Sequence, residues 1–191
     1  MNKELLKLLQ RRIAGTSVGP STARGMGPKG TVAVARSYLA DLNLPRFSVK
    51  TENAFKAVLN RTTRAYVKKL PKGSQYWGSA RKFLNIFLRG VVYNKYLCSA
   101  YEIAHIEPWL EVPLDSHVAK GLRRERGGKE LPRWRTVIGL DARTNSKYQQ
   151  FACKVAAEKG IHRVHLDLLY WRPPKRAAKT IFKRAPDGVG R

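Results

Sequence analysis

The sequence predicts a mainly helical protein, and three observations carry that expectation. Apolar residues recur at helical spacing in one segment after another. Sustained strand-type alternation is missing. The 43% apolar content is enough to fill a core in a chain of 191 residues. In chain order, Leu5, Leu6, Leu9 and Ile13 form one apolar face. Ala54, Phe55, Val58, Leu59 and Tyr66 form a second, ended by Leu70-Pro71 and Gly73. The stretch "ARKFLNIFLRGVVYNKYL", from Ala80 to Leu97, is apolar on almost every side, which predicts a central helix enclosed by its neighbours. Further helices are predicted over 116–124, 146–158 and 165–172, with a last basic one in "KRAAKTIFKR". Only Val32 to Val34 and Trp134 to Ile138 resemble strands, and both are short. The length suits a single domain, 1–191, with two small helical lobes sharing a core.

Charge narrows the partner. Lys and Arg number 38 against 13 Asp and Glu, a formal net charge of +25. That excess predicts a polyanion, and the apolar content argues against a disordered basic tail. No apolar run approaches the roughly 20 residues that cross a bilayer, and "MNKELLKLLQRRIAG" has amphipathic spacing in place of a signal-peptide core. The expectation is a cytoplasmic, nucleoid-associated monomer with no membrane partner. Cys98 and Cys153 are too few for a disulfide framework or a thiolate zinc site, so no metal and no cofactor are expected.

Two segments interrupt the helical pattern. "GTSVGPSTARGMGPKG", residues 15–30, carries five glycines and two prolines, but no Gly-Lys-Ser/Thr follows a strand, so it matches no phosphate-binding fingerprint. It reads either as a mobile surface loop or as a basic loop closing over a ligand or phosphate backbone. "GLRRERGGKELPRWRT" is a charged connection around Gly127-Gly128, either solvated or a phosphate-contacting edge. The tail 172–191 is basic and predicts nonspecific affinity.

In so acid-poor a chain, "EVPLDSHVAKGLRR" stands out. Asp115 follows Pro113-Leu114 and precedes a periodic helix, the pattern of an N-cap whose carboxylate accepts backbone N–H bonds and is favoured by the helix dipole. The same bonds keep the carboxylate ionised. An ionised carboxylate in a cleft also stabilises an oxocarbenium-like sugar as a glycosidic bond breaks.

"VPLDSHVAKGLRR" resembles the Val-Asp-Thr-His segment of the helix-hairpin-helix DNA glycosylases, whose essential Asp sits at a helix start. "GSARKFLNIFL" is similar to the segment carrying the nucleophilic lysine of bifunctional members, which corresponds to Lys82. "GIHRVHLDLLYW" resembles the C-terminal His-x-Asp-x-x-x-Trp helix of the archaeal 8-oxoguanine glycosylase branch. There the Asp and Trp contact the extruded base, and they correspond to Asp167 and Trp171. The resemblance spans roughly residues 50–172 and implies a helical DNA-glycosylase fold, with a helix-hairpin-helix-like element and two lobes around a cleft. The family hairpin Leu-Pro-Gly-Val-Gly is shorter than "LPKGSQYWGSARK", so either the hairpin is altered or the lysine position shifts by a turn.

The resemblance implies base flipping followed by cleavage of the N-glycosidic bond in duplex DNA. Asp115 and Lys82 are the expected catalytic pair. Asp167, Trp171, His165 and Tyr170 are the expected base contacts, His165 by orienting Asp167 or by capping its helix. Lys72, Gly73, Ser74, Gln75, Trp77, Arg81, His117, Lys120, Arg123 and Arg124 are expected at the DNA, with Gln75, Tyr76 and Trp77 as candidate wedges. Two roles are open for Lys82. Beside Arg81 near a helix start, a lowered pKa frees it to attack the sugar; on the surface, it binds phosphate and Asp115 activates water. The substrate is an oxidised purine, 8-oxoguanine first, or a bulky phage base such as glucosylated hydroxymethylcytosine, removed as defence. The alternative is a noncatalytic DNA- or RNA-binding protein. A nuclease or recombinase would need clustered carboxylates or an Arg/His/Tyr set, which this chain does not display.

Overall fold

The structure is a computed structural model that describes residues 2–171. Eight α-helices run along it: α1 Lys3–Ser17, α2 Thr31–Ala40, α3 Glu52–Lys69, α4 Trp77–Tyr93, α5 Lys95–Ala100, α6 Ser116–Arg124, α7 Ala142–Glu158 and α8 Leu166–Tyr170. No strand occurs among the described residues. None of the described helices is long and apolar enough to cross a membrane. The basic helix expected in "KRAAKTIFKR" and the rest of the tail 172–191 lie outside the described residues.

Several starts are set by short polar side chains. Asn2, Thr51, Asn94, Asp115 and Asp141 each accept a backbone N–H from the first turn of α1, α3, α5, α6 and α7. The cap at Asp141 places the start of α7 at Ala142, four residues ahead of the expected 146. The cap at Asn94 also divides the stretch from Ala80 to Leu97 into α4 and α5, because its side chain takes the Leu97 N–H and opens a new helix. The hydrophobic reading of α4 stands: twelve of its seventeen residues are buried. Val32 to Val34 lie in α2, not a strand. There Ala35 and Leu39 are fully buried at helical spacing, and that packing overrides the β-branched preference. Trp134 to Ile138 is irregular.

Two apolar cores result. The larger gathers α1 to α5 around Phe47, Phe55, Tyr66, Phe83 and Phe87, all fully buried. The smaller packs α6, α7 and α8 around Val118, Leu122, Tyr148 and Leu166. Each of these side chains contributes about 1.5–3 kcal/mol by leaving water. Trp134 packs against both cores and meets Tyr148 edge-on at 5.9 Å.

A buried polar cluster joins the two. The Arg81 guanidinium donates to both Glu111 carboxylate oxygens at 2.8 Å and to Thr63 Oγ1 at 2.8 Å, while Asn85 and Asn145 donate to Glu111 from α4 and α7. Arg81 is therefore not the DNA contact the sequence suggests; at 4% exposure it is an internal tie. The Trp77 ring lies 5.3 Å from that guanidinium and packs against the smaller core, so it is not a free wedge.

The glycine-rich segment is neither bare nor wholly a loop. α1 continues through Gly15 to Ser17, and the turns that follow bury Ala23 and Met26. Gly27, at φ +155°, presses against the hairpin between α3 and α4: a Cβ there would sit 2.3 Å from Ser74 Cβ. Ser74 is fully buried by that contact and donates to Pro71 O, which removes its side chain from the expected DNA surface.

Burial raises the pKa of Glu111, but the charge and hydrogen bonds of Arg81 outweigh it, with help from Arg163 and Asn85, and hold it below the ordinary value. A depressed folded-state value stabilises the fold above the unfolded Glu pKa of about 4.3 and is lost as pH falls through the folded value. Glu111→Gln is expected to cost about 3–5 kcal/mol at neutral pH by leaving Arg81 buried without its counter-ion. Urea unfolding at a series of pH values should show that difference shrinking toward acid.

Candidate active site

Asp115 is placed by the extended segment that precedes it. Val112, Pro113 and Leu114 are buried, so the chain enters α6 with its first side chain turned toward a cavity. Oδ1 accepts the N–H groups of His117 and Val118 at 2.9 and 3.0 Å. Oδ2 takes no part in the cap and lies 3.7 Å from Lys82 Nζ. Cap and ion pair thus use different oxygens of one carboxylate.

Lys82 sits in the second turn of α4, with its side chain 10% exposed. Its pKa is lowered, chiefly because burial disfavours the charged amine; Asp115 and Asp167 pull it back up. The lowering comes from burial and not, as the sequence suggests, from Arg81, whose charge Glu111 neutralises. Asp167 opens α8 and is paired with Arg89 of α4. Burial raises its pKa, with Asp115 adding to the rise, while Arg89 and Lys82 oppose it. Two carboxylates, a lysine and an arginine therefore share one desolvated field.

These groups line a cavity of about 910 Å³. Its floor holds Lys82, Asp115, Arg89 and Asp167, with Ile86 beside them on α4. Trp171, 58% exposed, stands at its edge, and His117 also faces it. One wall comes from the end of α1 and the glycine-rich segment, through Thr16, Ser21, Thr22, Arg24 and Met26. Another comes from the irregular stretch Trp134 to Ile138.

The structure thus brings Lys82, Asp115, Asp167, Trp171 and His117 together. It separates two expected base contacts from them. Tyr170 turns into the smaller core: its hydroxyl donates to Glu125 Oε1 at 2.6 Å, and its ring covers Gly121, where a Cβ would sit 2.4 Å from it. His165 occupies the N-cap position of α8, as one of the two expected roles has it, but its side chain makes no capping bond there and does not orient Asp167. It bonds the Tyr93 hydroxyl at 2.6 Å, lies 3.4 Å from Glu107, and stacks on the Tyr93 ring. Among the expected DNA contacts, Arg123 donates to the carbonyls of Leu131 and Pro132 and is an internal brace. Lys72, Gly73, Gln75, Lys120 and Arg124 are exposed, and Gln75 also donates to Leu70 O. No group of three or more His, Cys, Asp or Glu side chains placed to hold a metal ion occurs among the described residues.

Sequence reasoning missed Arg89, and it offered the glycine-rich segment as a surface loop or a loop closing over a ligand without giving it a place beside Asp115. Arg89 was within reach, since positions 82, 86 and 89 recur at helical spacing and project from one face of α4. The wall carried no such signal, because its position depends on the Gly27 contact across the fold.

No protein-family model, no curated protein and no solved structure matches this chain. The site is therefore read from its own chemistry.

The field at Lys82 is directly measurable. After reductive ¹³C-methylation, one lysine resonance should titrate below the ordinary value of about 10.4 and vanish in Lys82→Gln. Asp115→Asn should move it lower still, since it removes a charge that holds the proton on. A Lys82 resonance that titrates with the surface lysines would contradict this description.

Proposed function

We propose that this protein is a DNA glycosylase that draws a modified nucleotide out of the duplex and breaks its N-glycosidic bond. The observation that carries the reading is the 3.7 Å pairing of a buried amine with a carboxylate at the floor of a cavity about 910 Å³ in volume. Burial lowers the charge on the amine, which favours a nucleophile. The neighbouring carboxylate accepts two backbone N–H groups through Oδ1 and turns Oδ2 toward the lysine, a fixed acceptor suited to developing positive charge on a deoxyribose.

The steps follow from that arrangement. As the bond from C1′ to the base breaks, the base leaves with the electron pair and takes up a proton from solvent. Asp115 stabilises the oxocarbenium-like sugar. Lys82 nitrogen forms the new bond to C1′, and the proton it sheds passes to Asp115. Asp115 returns that proton to the ring oxygen as the ring opens to a Schiff base, and loss of a C2′ proton to Asp115 together with departure of the 3′ phosphate cuts the strand. The burial of Lys82 supports this course over a phosphate-binding lysine with Asp115 activating water.

Trp171 offers a ring for stacking on the extruded base, and Asp167 with Arg89 offers polar edges. Lys120 and Arg124, exposed on α6, are suited to the flanking phosphates, as are Lys72, Gly73 and Gln75 on the hairpin. The cavity lies near the top of the roughly 300–1,000 Å³ range of small-molecule sites. That size favours a bulky base, such as glucosylated hydroxymethylcytosine of phage DNA, over 8-oxoguanine. A noncatalytic nucleic-acid binder accounts for the charge but not for a buried lysine facing a carboxylate.

Duplexes carrying 8-oxoguanine or glucosylated hydroxymethylcytosine separate these readings when free base and strand breaks are assayed independently. The wild type is expected to release the bulky base faster, and Asp115→Asn to lose at least about 10²–10³-fold in rate. Lys82→Gln should abolish both strand scission and the adduct that borohydride traps. Tight binding with no released base from either duplex would leave the noncatalytic reading.

A further inference from the structure

A second basic surface lies apart from the catalytic floor, on the outer face of α7. Arg143, Lys147, Gln150 and Lys154 recur at intervals of four, three and four residues, which aligns them along one side of the helix, and all four are exposed. At 1.5 Å per residue, Lys147 lies about 6 Å from Arg143 along the axis and about 10 Å from Lys154. Phosphates on one strand of a duplex recur every roughly 3.4 Å of axis, so this row meets every second or third of them.

The row borders a shallow groove of about 210 Å³, whose floor is Leu131, Pro132 and Phe151 and whose near bank is Lys147, Gln150 and Lys154. The opposite bank is the stretch from Gly127 to Pro132, next to which Arg126, Lys129 and Arg133 are exposed. None of the cations on either bank belongs to an ion pair among the described residues. The acids nearby are few. Glu130 is exposed at the groove and Glu158 one turn beyond Lys154 on α7, while Asp141 is occupied in capping that helix. Glu125 is held by Lys159 and Tyr170. Repulsion between two unpaired basic banks is relieved by an anion laid along the groove.

One irregular stretch of chain runs from the groove, at Pro132, to the cavity, at Trp134 and Arg135. Arg133 and Arg135 are exposed on either side of the half-buried Trp134, which is pinned between the two cores. Pro132 lines the groove, and Arg135 lines the cavity. A few residues of one irregular stretch therefore carry positive charge from one to the other.

We propose that this groove is a second DNA-backbone site, which holds one arm of the duplex along α7 while the cavity engages a nucleotide further along the same DNA. The inference rests on DNA being the partner, as the reading above has it, but not on any bond being cleaved. Its prediction is that the surface sets affinity for long duplexes and is dispensable for duplexes too short to reach it.

The test uses fluorescence anisotropy on the full chain with unmodified duplexes of 12 and 30 base pairs, across a salt series. Lys147→Gln combined with Lys154→Gln removes two phosphate contacts. On the long duplex, the slope of log affinity against log salt should fall by about 1.8, and affinity near 0.15 M salt by roughly 30-fold. On the short duplex both should stay close to wild type, as should a control pair, Lys3→Gln with Lys7→Gln at the far end of α1, on either duplex. Equal losses on both duplexes, equal losses in the control, or no loss at all would overturn the proposal. Because the DNA is unmodified, none of these outcomes depends on whether the protein releases a base.

Discussion

The Arg81 to Glu111 pair is the constraint on which the rest of the site depends. Arg81 precedes Lys82 on α4, and Glu111 lies four residues before Asp115 on the segment that enters α6. When the guanidinium locks onto both carboxylate oxygens, the helix that carries the amine and the strand-like segment that carries the carboxylate are held in one register. Thr63, Asn85 and Asn145 complete the cluster from α3, α4 and α7, so three helices converge on the same anchor. A fork of five fixed donors suits this task better than an ammonium would, since its planar geometry allows few alternative poses. The Lys82 and Asp115 pair needs no long-range guidance of its own; it inherits its position from its sequence neighbours.

The same arrangement explains why a lysine is tolerated in so enclosed a place. Desolvation opposes its charge, and the fold accepts this because Asp115 and Asp167 return part of the loss. Asp115 in turn serves the helix with one oxygen and the lysine with the other. A buried lysine beside a carboxylate departs from the local rules of a helical core, and such departures are where chemistry is most often found.

Much of the fold was legible in advance because helices announce themselves locally. The all-round apolar pattern of "ARKFLNIFLRGVV" marks α4 as the core helix, and Asp after Pro113-Leu114 marks the start of α6. The division at Asn94 was visible only as a cap hidden inside an apolar run. Val32 and Val34 misled because burial of Ala35 and Leu39 outweighed their intrinsic preference. Of the candidate site, Lys82, Asp115, Asp167 and Trp171 are indeed neighbours across a single cavity. Tyr170 and His165 diverge from them because α8 spans only five residues, and side chains two or three positions away from Asp167 face other partners. Arg81 and Arg123 show why a basic residue in a basic chain is weak evidence of surface: each found an acceptor inside the fold that no spacing rule foretells.

Gly27 carries a final implication. Its contact with Ser74, and that of Gly73 with Pro28, staple the glycine-rich wall to the hairpin, while the other end of the wall is continuous with α1. An arc fastened at both feet can change length or side chains at its crown, around Ser21 to Arg24, without disturbing either foot. Substitutions are thus tolerated at the crown without moving the floor of the cavity, and that tolerance ends sharply at Gly27.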